Sequence, residues 1–240
     1  MDDIILGGVY MKITYIGHSG FMVELEQTWM LFDYYKGEIP ALPKGKRGFV
    51  FASHRHSDHF NPEIFRLAES GGVTFILSSD IWKKRIPEYV KEQSVHLKPN
   101  TEFSAEGIRV HTLRSTDEGV AFLVEAEGKT IYHAGDLNNW YWKEESKEWN
   151  QNMDEKFRSY IEPLRGKKID AAFIPLDPRQ EEYYSLGMDY FLNLADAVQV
   201  YPMHFWGGPE IINRWYEEHP DSPDRNRVVK ISYEGEIFQQ

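Results

Sequence analysis

Three histidines and an aspartate fall within the six residues His54-Arg55-His56-Ser57-Asp58-His59, and their flanks limit what the chain can fold into. Upstream, "GFVFAS" (48–53) reads as a buried strand. Downstream, "NPEIFRLAES" (61–70) predicts a helix with Asn61 as N-cap, Pro62 at the first helical position and Gly71-Gly72 as the stop. The histidines therefore lie on a loop at a strand end, where His54 and His56 can point one way while Asp58 and His59 turn back toward a neighbouring position. A lone histidine is ordinarily a core or surface residue. The H-x-H-x-D-H pattern instead gathers imidazoles and carboxylates that suit zinc, manganese or iron, and one such loop can feed two adjacent ions.

The rest of the chain is strand-rich. Apolar runs bounded by turn residues recur at 12–17, 21–26, 28–33, 48–53, 73–77, 108–113, 120–126, 130–135, 171–176, 198–203 and 227–233. Helical spacing appears at 188–197 and 209–219. Close strands first, then strands alternating with helices, predict an α/β (α+β) fold of two sheets with helices outside, one domain over 1–240. Met11 is a plausible alternative start, which makes residues 1–10 a candidate N-terminal extension. Residues 138–160, aromatic and charged, read as an insertion that is either a functional rim or a surface helix packed through its aromatic face.

Several function classes drop out on composition. There is no cysteine, hence no disulfide framework and no thiolate metal site. A formal net charge of −11 without a Lys/Arg-rich tract makes nucleic acid an improbable partner and leaves a small-molecule substrate. No apolar run reaches the roughly 18 residues of a membrane span, and Asp2 and Asp3 stand where a secretory leader carries positive charge, so a cytoplasmic location is expected. No G-x-S-x-G elbow suggests a serine hydrolase. The aromatics of 138–160 are compatible with a homo-oligomer.

The loop motif resembles the signature of the metallo-β-lactamase superfamily, and matching features follow in the family's chain order. Asp33 closes "TWMLFD", Asp136 closes "IYHAGD", and His204 stands in "VYPMHFW". The resemblance implies a four-layer αβ/βα sandwich of two mixed β-sheets, with two divalent ions (Zn, Mn or Fe) at one sheet edge. In it His54, His56, Asp58, His59, Asp136 and His204 would be ligands, Asp136 would bridge the ions, and Asp33 would brace the ligand loop. "YIGHSGFMVE" and "YHAGD" look like the branch of metal-dependent hydrolases that includes the ascorbate-6-phosphate lactonase type. His18, after Gly17 at a strand end, reads as a substrate-facing group, a brace behind the ligands or a histidine bonded within the core, and His133, three residues from Asp136, as a substrate-facing rim residue or a core one. The similarity implies hydrolysis of a small ester, lactone or phosphate-bearing metabolite by a metal-activated water, with Asp58 carrying the proton.

One family ligand is missing. The family places a histidine just before a strand like "GVAFLVE", and here 113–119 reads "LRSTDEG". Either Asp117, or a hydroxyl of Ser115 or Thr116, replaces the imidazole, or the His54/His56 ion is held by fewer groups plus water, or only one ion binds, at Asp58, His59, Asp136 and His204. His111 would need a register change to serve. The gap also keeps open a non-catalytic binding or sensing domain with a degenerate site, and a nuclease-like phosphodiesterase remains the other enzymatic reading. Arg55 and Arg179 are expected in structural ion pairs. His96 and His219 are expected at the surface, and Trp140, Tyr141, Trp142, Tyr183, Tyr184 and Trp206 either wall a pocket or pack internally.

Overall fold

The computed structural model describes residues 10–105 and 107–240, so the candidate extension lies, apart from Tyr10, outside the described residues. Alternation decides the architecture. In the strand Thr28–Phe32, Met30 and Phe32 enter one core while Trp29 and Leu31 enter another; in Arg47–Ala52, Phe49 and Phe51 face the first core and Val50 and Ala52 the second. Strands apolar on both faces have to lie inside a layered structure.

The first sheet is built from β1 (Lys12–Gly17), β2 (Gly20–Glu24), β3 (Thr28–Phe32), β4 (Arg47–Ala52), β5 (Val73–Ser78) and β6 (Ser94–Leu97) in that order. The second is built from β7 (Glu102–Ala105), β8 (Ile108–Arg114), β9 (Val120–Ala126), β10 (Lys129–His133), β11 (Lys168–Pro175) and β12 (Asp196–Met203), also in order. A final strand, β13 (Ile237–Gln239), returns to the first sheet and pairs with β1. Both sheets are mixed: β1 to β3 and β7 to β10 are antiparallel, β3 to β6 and β10 to β12 parallel.

Aromatic rings fill the space between the sheets. Phe21 meets Phe173 at 4.3 Å between centroids, and Phe51 meets Phe122 at 5.1 Å, separations at which ring pairs add to the gain from burial alone. The outer face of the first sheet is covered by 3-10 segments through Ile64, Phe65 and Val90. On the second sheet lie α1 (Lys147–Ile161), burying Phe157 and Ile161, and α2 (Leu186–Leu194), whose Phe191 stacks on Tyr132. Next comes α3 (Glu210–Glu218), tied to α2 by the Trp215 indole N–H donating to Asp189 at 2.8 Å. The result is the expected four layers.

The differences from expectation are local. The segment after the histidine loop has the expected Asn61 cap, whose side chain accepts from the Glu63 N–H, but Pro62–Ser70 winds as a 3-10 helix. Nine residues between a cap and a glycine pair gain little from α-helical propagation. The helix expected over 188–197 stops at Leu194, because Asp196 and Ala197 are claimed by the parallel ladder to Lys168 and Ile169. The run 227–233 is not a strand. Val228 forms a single bridge to Val200, and its carbonyl accepts the Tyr216 hydroxyl at 2.5 Å. β6, β7 and β13, none of them anticipated, are all edge strands of three or four residues, in which only Leu97 is buried. Among the described residues no helix is long and apolar enough to cross a membrane.

Nearly every chemistry-bearing residue follows the C-terminal end of a strand: His18 after β1, Asp33 after β3, His54 after β4, Asp117 after β8, Asp136 after β10, Asp177 after β11 and His204 after β12. Close backbone approach joins the two sheets at this edge. Gly119 has φ +68°, and a Cβ there would stand 2.0 Å from the Ser53 carbonyl oxygen and 2.6 Å from His54 Cβ. Gly119→Ala should therefore lower stability by roughly 2–4 kcal/mol, from left-handed strain plus overpacking. Urea unfolding of the metal-free protein measures this, and a loss below about 0.5 kcal/mol, the ordinary surface-substitution range, would contradict the close approach.

Candidate metal centre

Asp33 is fully buried and has left-handed backbone, φ 42°. Its Oδ1 accepts the Ser53 N–H at 2.7 Å, and its Oδ2 accepts the Ser53 hydroxyl at 2.6 Å and His59 Nδ1–H at 2.7 Å. Burial would raise this carboxyl; His133 and His59 outweigh that and hold it below the ordinary carboxylate range. The serine hydroxyl spends its one proton on Asp33, so His54 Nδ1–H donates to Ser53 Oγ at 2.9 Å. On the far side Asp177, also fully buried, accepts His204 Nδ1–H at 2.9 Å. His54, His59 and His204 thus share one tautomer, each with its Nε2 lone pair turned inward, as outer carboxylates and hydroxyls impose on metal-binding histidines.

The inward atoms form two groups. His18, Asp58, His59 and His204 make one, His54, His56, Asp117 and Asp136 the other, with the donor atoms of each within 4.8 Å of one another. Asp136 faces both. Its Oδ1 is 3.1 Å from His59 Nε2 and 3.4 Å from His204 Nε2, while its Oδ2 is 3.5 Å from His54 Nε2. In the outer group His54 Nε2 is 3.0 Å from His56 Nδ1, which is 3.5 Å from Asp117 Oδ2. Two donors about 2.05 Å from a tetrahedral ion stand about 3.3 Å apart, and these separations cluster around that value.

The unpaired atoms agree. His59 Nε2, His204 Nε2, Asp136 Oδ1 and both ring nitrogens of His18 are buried without a hydrogen-bond partner. Burial would raise Asp136, but His59 and His204 hold it well below the ordinary range; burial would lower His59, but Asp136 and Asp33 raise it well above. Such mutual demand marks a place for positive charge. Burial takes His54 and His18 down to about 4, leaving both neutral and able to donate a lone pair. The residues fit divalent cations.

The groups open into a cavity of about 390 Å³ lined by His56, Asp58, Asp136 and His204 together with Thr116, Asp117, Trp140, Trp142, Trp149, Met153, Arg179 and Trp206. Of the 138–160 segment, the part from Lys147 onward lies in the packed helix α1, and Trp140, Trp142, Trp149 and Met153 line this cavity. Of the other aromatics, Tyr141 and Tyr183 contact each other at 4.2 Å, and Tyr184 is buried against Glu218. Arg179 pairs with Asp177 at 2.9 Å and Arg55 with Glu118, so both are structural ion pairs, set beside the site.

His133 is not brought to the cavity, contrary to its substrate-facing reading. It is fully buried beneath Asp33, donates from Nε2 to the Ser19 carbonyl at 2.9 Å, accepts the Gly135 N–H at 3.1 Å and stacks on Phe32. Its side chain faces inward on β10 because the phase of Tyr132 and His133 is fixed by pairing with Leu123 and Phe122. His18 also leaves the substrate-facing role, joining the inner donor group. Asp117 does reach the outer group, and His111 lies away from it, 3.6 Å from Glu102. His96 and His219 are half-buried rather than exposed, and His219 stacks on Trp215 at 4.7 Å.

Asp177 was missed. Its signal was available, since "PLDP" places an aspartate just past a strand end, as "LFD" and "AGD" do for Asp33 and Asp136.

Residues 12–154 match the model of the beta-lactamase superfamily domain. The chain is 31% identical to a UPF0173 metal-dependent hydrolase of Opitutus terrae, over 95% of this chain and 100% of the relative. Among solved structures, Igni18, a metallo hydrolase from Ignicoccus hospitalis, aligns at 18% identity and a TM-score of 0.65, over 96% of this chain and 98% of that one. The metallo-beta-lactamase fold protein YhfI from Bacillus subtilis aligns at 17% and 0.64, over 97% and 100%.

Burial raises the Asp177 carboxyl, while His204 and Arg179 bring it down further, to about 2. A depressed carboxylate contributes stability that is present above the unfolded value, near 3.8, and lost as pH falls through the folded one. Asp177→Asn should therefore reduce the loss of metal-free stability between pH 5 and 2 by roughly 2 kcal/mol. Urea unfolding across that interval measures it; an unchanged slope would contradict the pairing.

Proposed function

The chain belongs to the metallo-β-lactamase superfamily of metal-dependent hydrolases, and on that premise we propose that its site holds two divalent cations and hydrolyses a small ester, lactone or phosphate-bearing metabolite. The observation that carries this reading is Asp136, whose two oxygens divide between two donor groups under one cavity. His54, His56, Asp117 and Asp136 would hold one cation; Asp58, His59, Asp136 and His204 the other. Asp117 in an imidazole's place makes the outer set richer in oxygen, which favours manganese or iron over zinc. Bound, such ions supply Lewis acidity toward a carbonyl or phosphoryl oxygen and acidify water toward neutral pH.

The chain's own groups supply the rest. Asp58 lines the cavity and, although burial opposes it, the neighbouring His18 and the charge of His59 hold its carboxyl well below the ordinary range. It is ionised at neutral pH and can take a proton from the attacking water and return it to the leaving oxygen. Asp33 and Asp177 hold the histidine rings in orientation, so the donors need not reorganise during reaction. Trp140, Trp142 and Trp206 limit water around the reacting centre, and the Arg179 guanidinium, 4.6 Å over the Trp206 ring, stands where an anionic substituent would enter.

A cavity of about 390 Å³ is of small-molecule size. With the net charge of −11 it supports a metabolite over a nucleic acid. The absence of cysteine supports a cytoplasmic setting.

A hydrolysis screen over lactones, phosphodiesters and thioesters should find a substrate whose turnover is abolished by chelation and restored by Mn, Fe or Zn. Asp58→Ala and His204→Ala should each lower kcat/KM by about 10² or more. Turnover within twofold of the unsubstituted protein in both variants would place the chemistry elsewhere.

A further inference from the structure

Building on the two-cation reading, we infer that His18 is a fourth side-chain donor to the inner cation, beside Asp58, His59 and His204, and closes that site so that the outer site is the exchangeable, substrate-facing one. Its Nε2 lies 3.3 Å from Asp58 Oδ2, the separation of two donors on one ion. His18 is 4% exposed, and neither ring nitrogen has a hydrogen-bond partner. A buried imidazole with both nitrogens unpaired calls for a specific cause. The ring does not line the cavity, so a substrate does not supply that partner.

The backbone is arranged to bring it there. His18 has φ 52° and His204 φ 65°, both left-handed, where non-glycine residues are uncommon. The two are joined directly, the His204 N–H donating to the His18 carbonyl at 3.2 Å with the rings 4.2 Å apart. Thus the loop after the first strand and the loop after the twelfth are strained into one another at the point where their imidazoles converge, and strain of this kind collects at functional sites. Trp206, 4.5 Å from the His18 ring, covers the junction.

The outer group is built differently. His54 is buried, but the side chains of His56 and Asp117 are 43% and 42% exposed. Closed coordination by protein groups is the mark of a retained ion; catalytic sites keep a position open. The inner ion is therefore held by four side chains plus the shared Asp136, and the outer one by two exposed groups of its four.

The test is a titration of metal-free protein with Mn(II) against a chromophoric chelator. The unsubstituted protein should show one tight and one weaker class. His18→Asn, chosen because asparagine tolerates left-handed backbone, should weaken the tight class at least about tenfold and spare the other, while Asp117→Asn should do the reverse. Thermal melting of the metal-free variants verifies their fold. Independently of any variant, nitrogen couplings in the pulsed EPR spectrum of protein loaded with one equivalent of Mn(II) should count three imidazoles.

Two imidazoles on that ion, or both classes unchanged within twofold in a folded His18→Asn protein, would overturn the assignment of His18 and leave the hydrolase reading standing. Failure of the unsubstituted protein to bind Mn(II) at all would overturn both.

Discussion

A carboxylate without contact to water, Asp33, is the constraint from which the site follows. An ionised group in that position is tolerable only when its lone pairs are filled, and the hydrogen bonds to its carboxylate come from one loop: the Ser53 N–H, the Ser53 hydroxyl and His59 Nδ1–H. The parallel pairing of β3 with β4 makes this possible, because Asp33 leaves β3 with its own N–H still bonded to the Phe51 carbonyl, two residues before Ser53. Ser53 then passes the orientation on to His54. One buried charge thereby fixes the tautomers of two candidate ligands and the path of the loop that carries the other two.

The opposite sheet repeats the device with a separate carboxylate. Asp177, just beyond β11, fixes His204 as Asp33 fixes His59, and Arg179 compensates its charge. The site therefore spans the edge shared by two sheets, each contributing an anchored histidine, with Asp136 between them. Misplacing the sheets by an ångström would separate His59 from His204, both now about 3.1–3.4 Å from the same oxygen of Asp136. The aromatic packing of Phe21, Phe51, Phe122 and Phe173 thus bears on the chemistry as much as on stability.

The parts legible in the sequence were those with local signals. Buried central strands announce themselves by apolar runs, and the ligand loop by its spacing; Asp33, Asp136 and His204 follow because each ends such a run. Edge strands β6, β7 and β13 were silent, since an edge needs no apolar alternation and is better protected without it. "RVVKISY" misled in the opposite sense: Val228 and Ile231 are buried, but as isolated anchors, while the intervening backbone finds other partners. His133 looked like a site residue because it is three positions from Asp136, and only pairing register decides that its ring points beneath the site. His18 was read toward the substrate because nothing near it in sequence discloses that residue 204 will bond to its carbonyl.

Electrostatics sets an order of events at this edge. The cavity wall carries Asp58, Asp117 and Asp136, with Glu118 close by; burial leaves His18 and His54 neutral, and His59, raised by Asp136 and Asp33, is one positive charge against these carboxylates. The nearest guanidiniums are engaged, Arg55 by Glu118 and Arg179 by Asp177. With protein groups alone the cavity is therefore anionic, in a chain whose net charge is already −11, and it attracts cations while repelling a phosphate or carboxylate. The two divalent cations proposed above would reverse that sign. On the proposed reading an anionic substrate would be admitted only by the cation-loaded protein, and the exposed outer group would be the place at which loading and substrate entry become one decision.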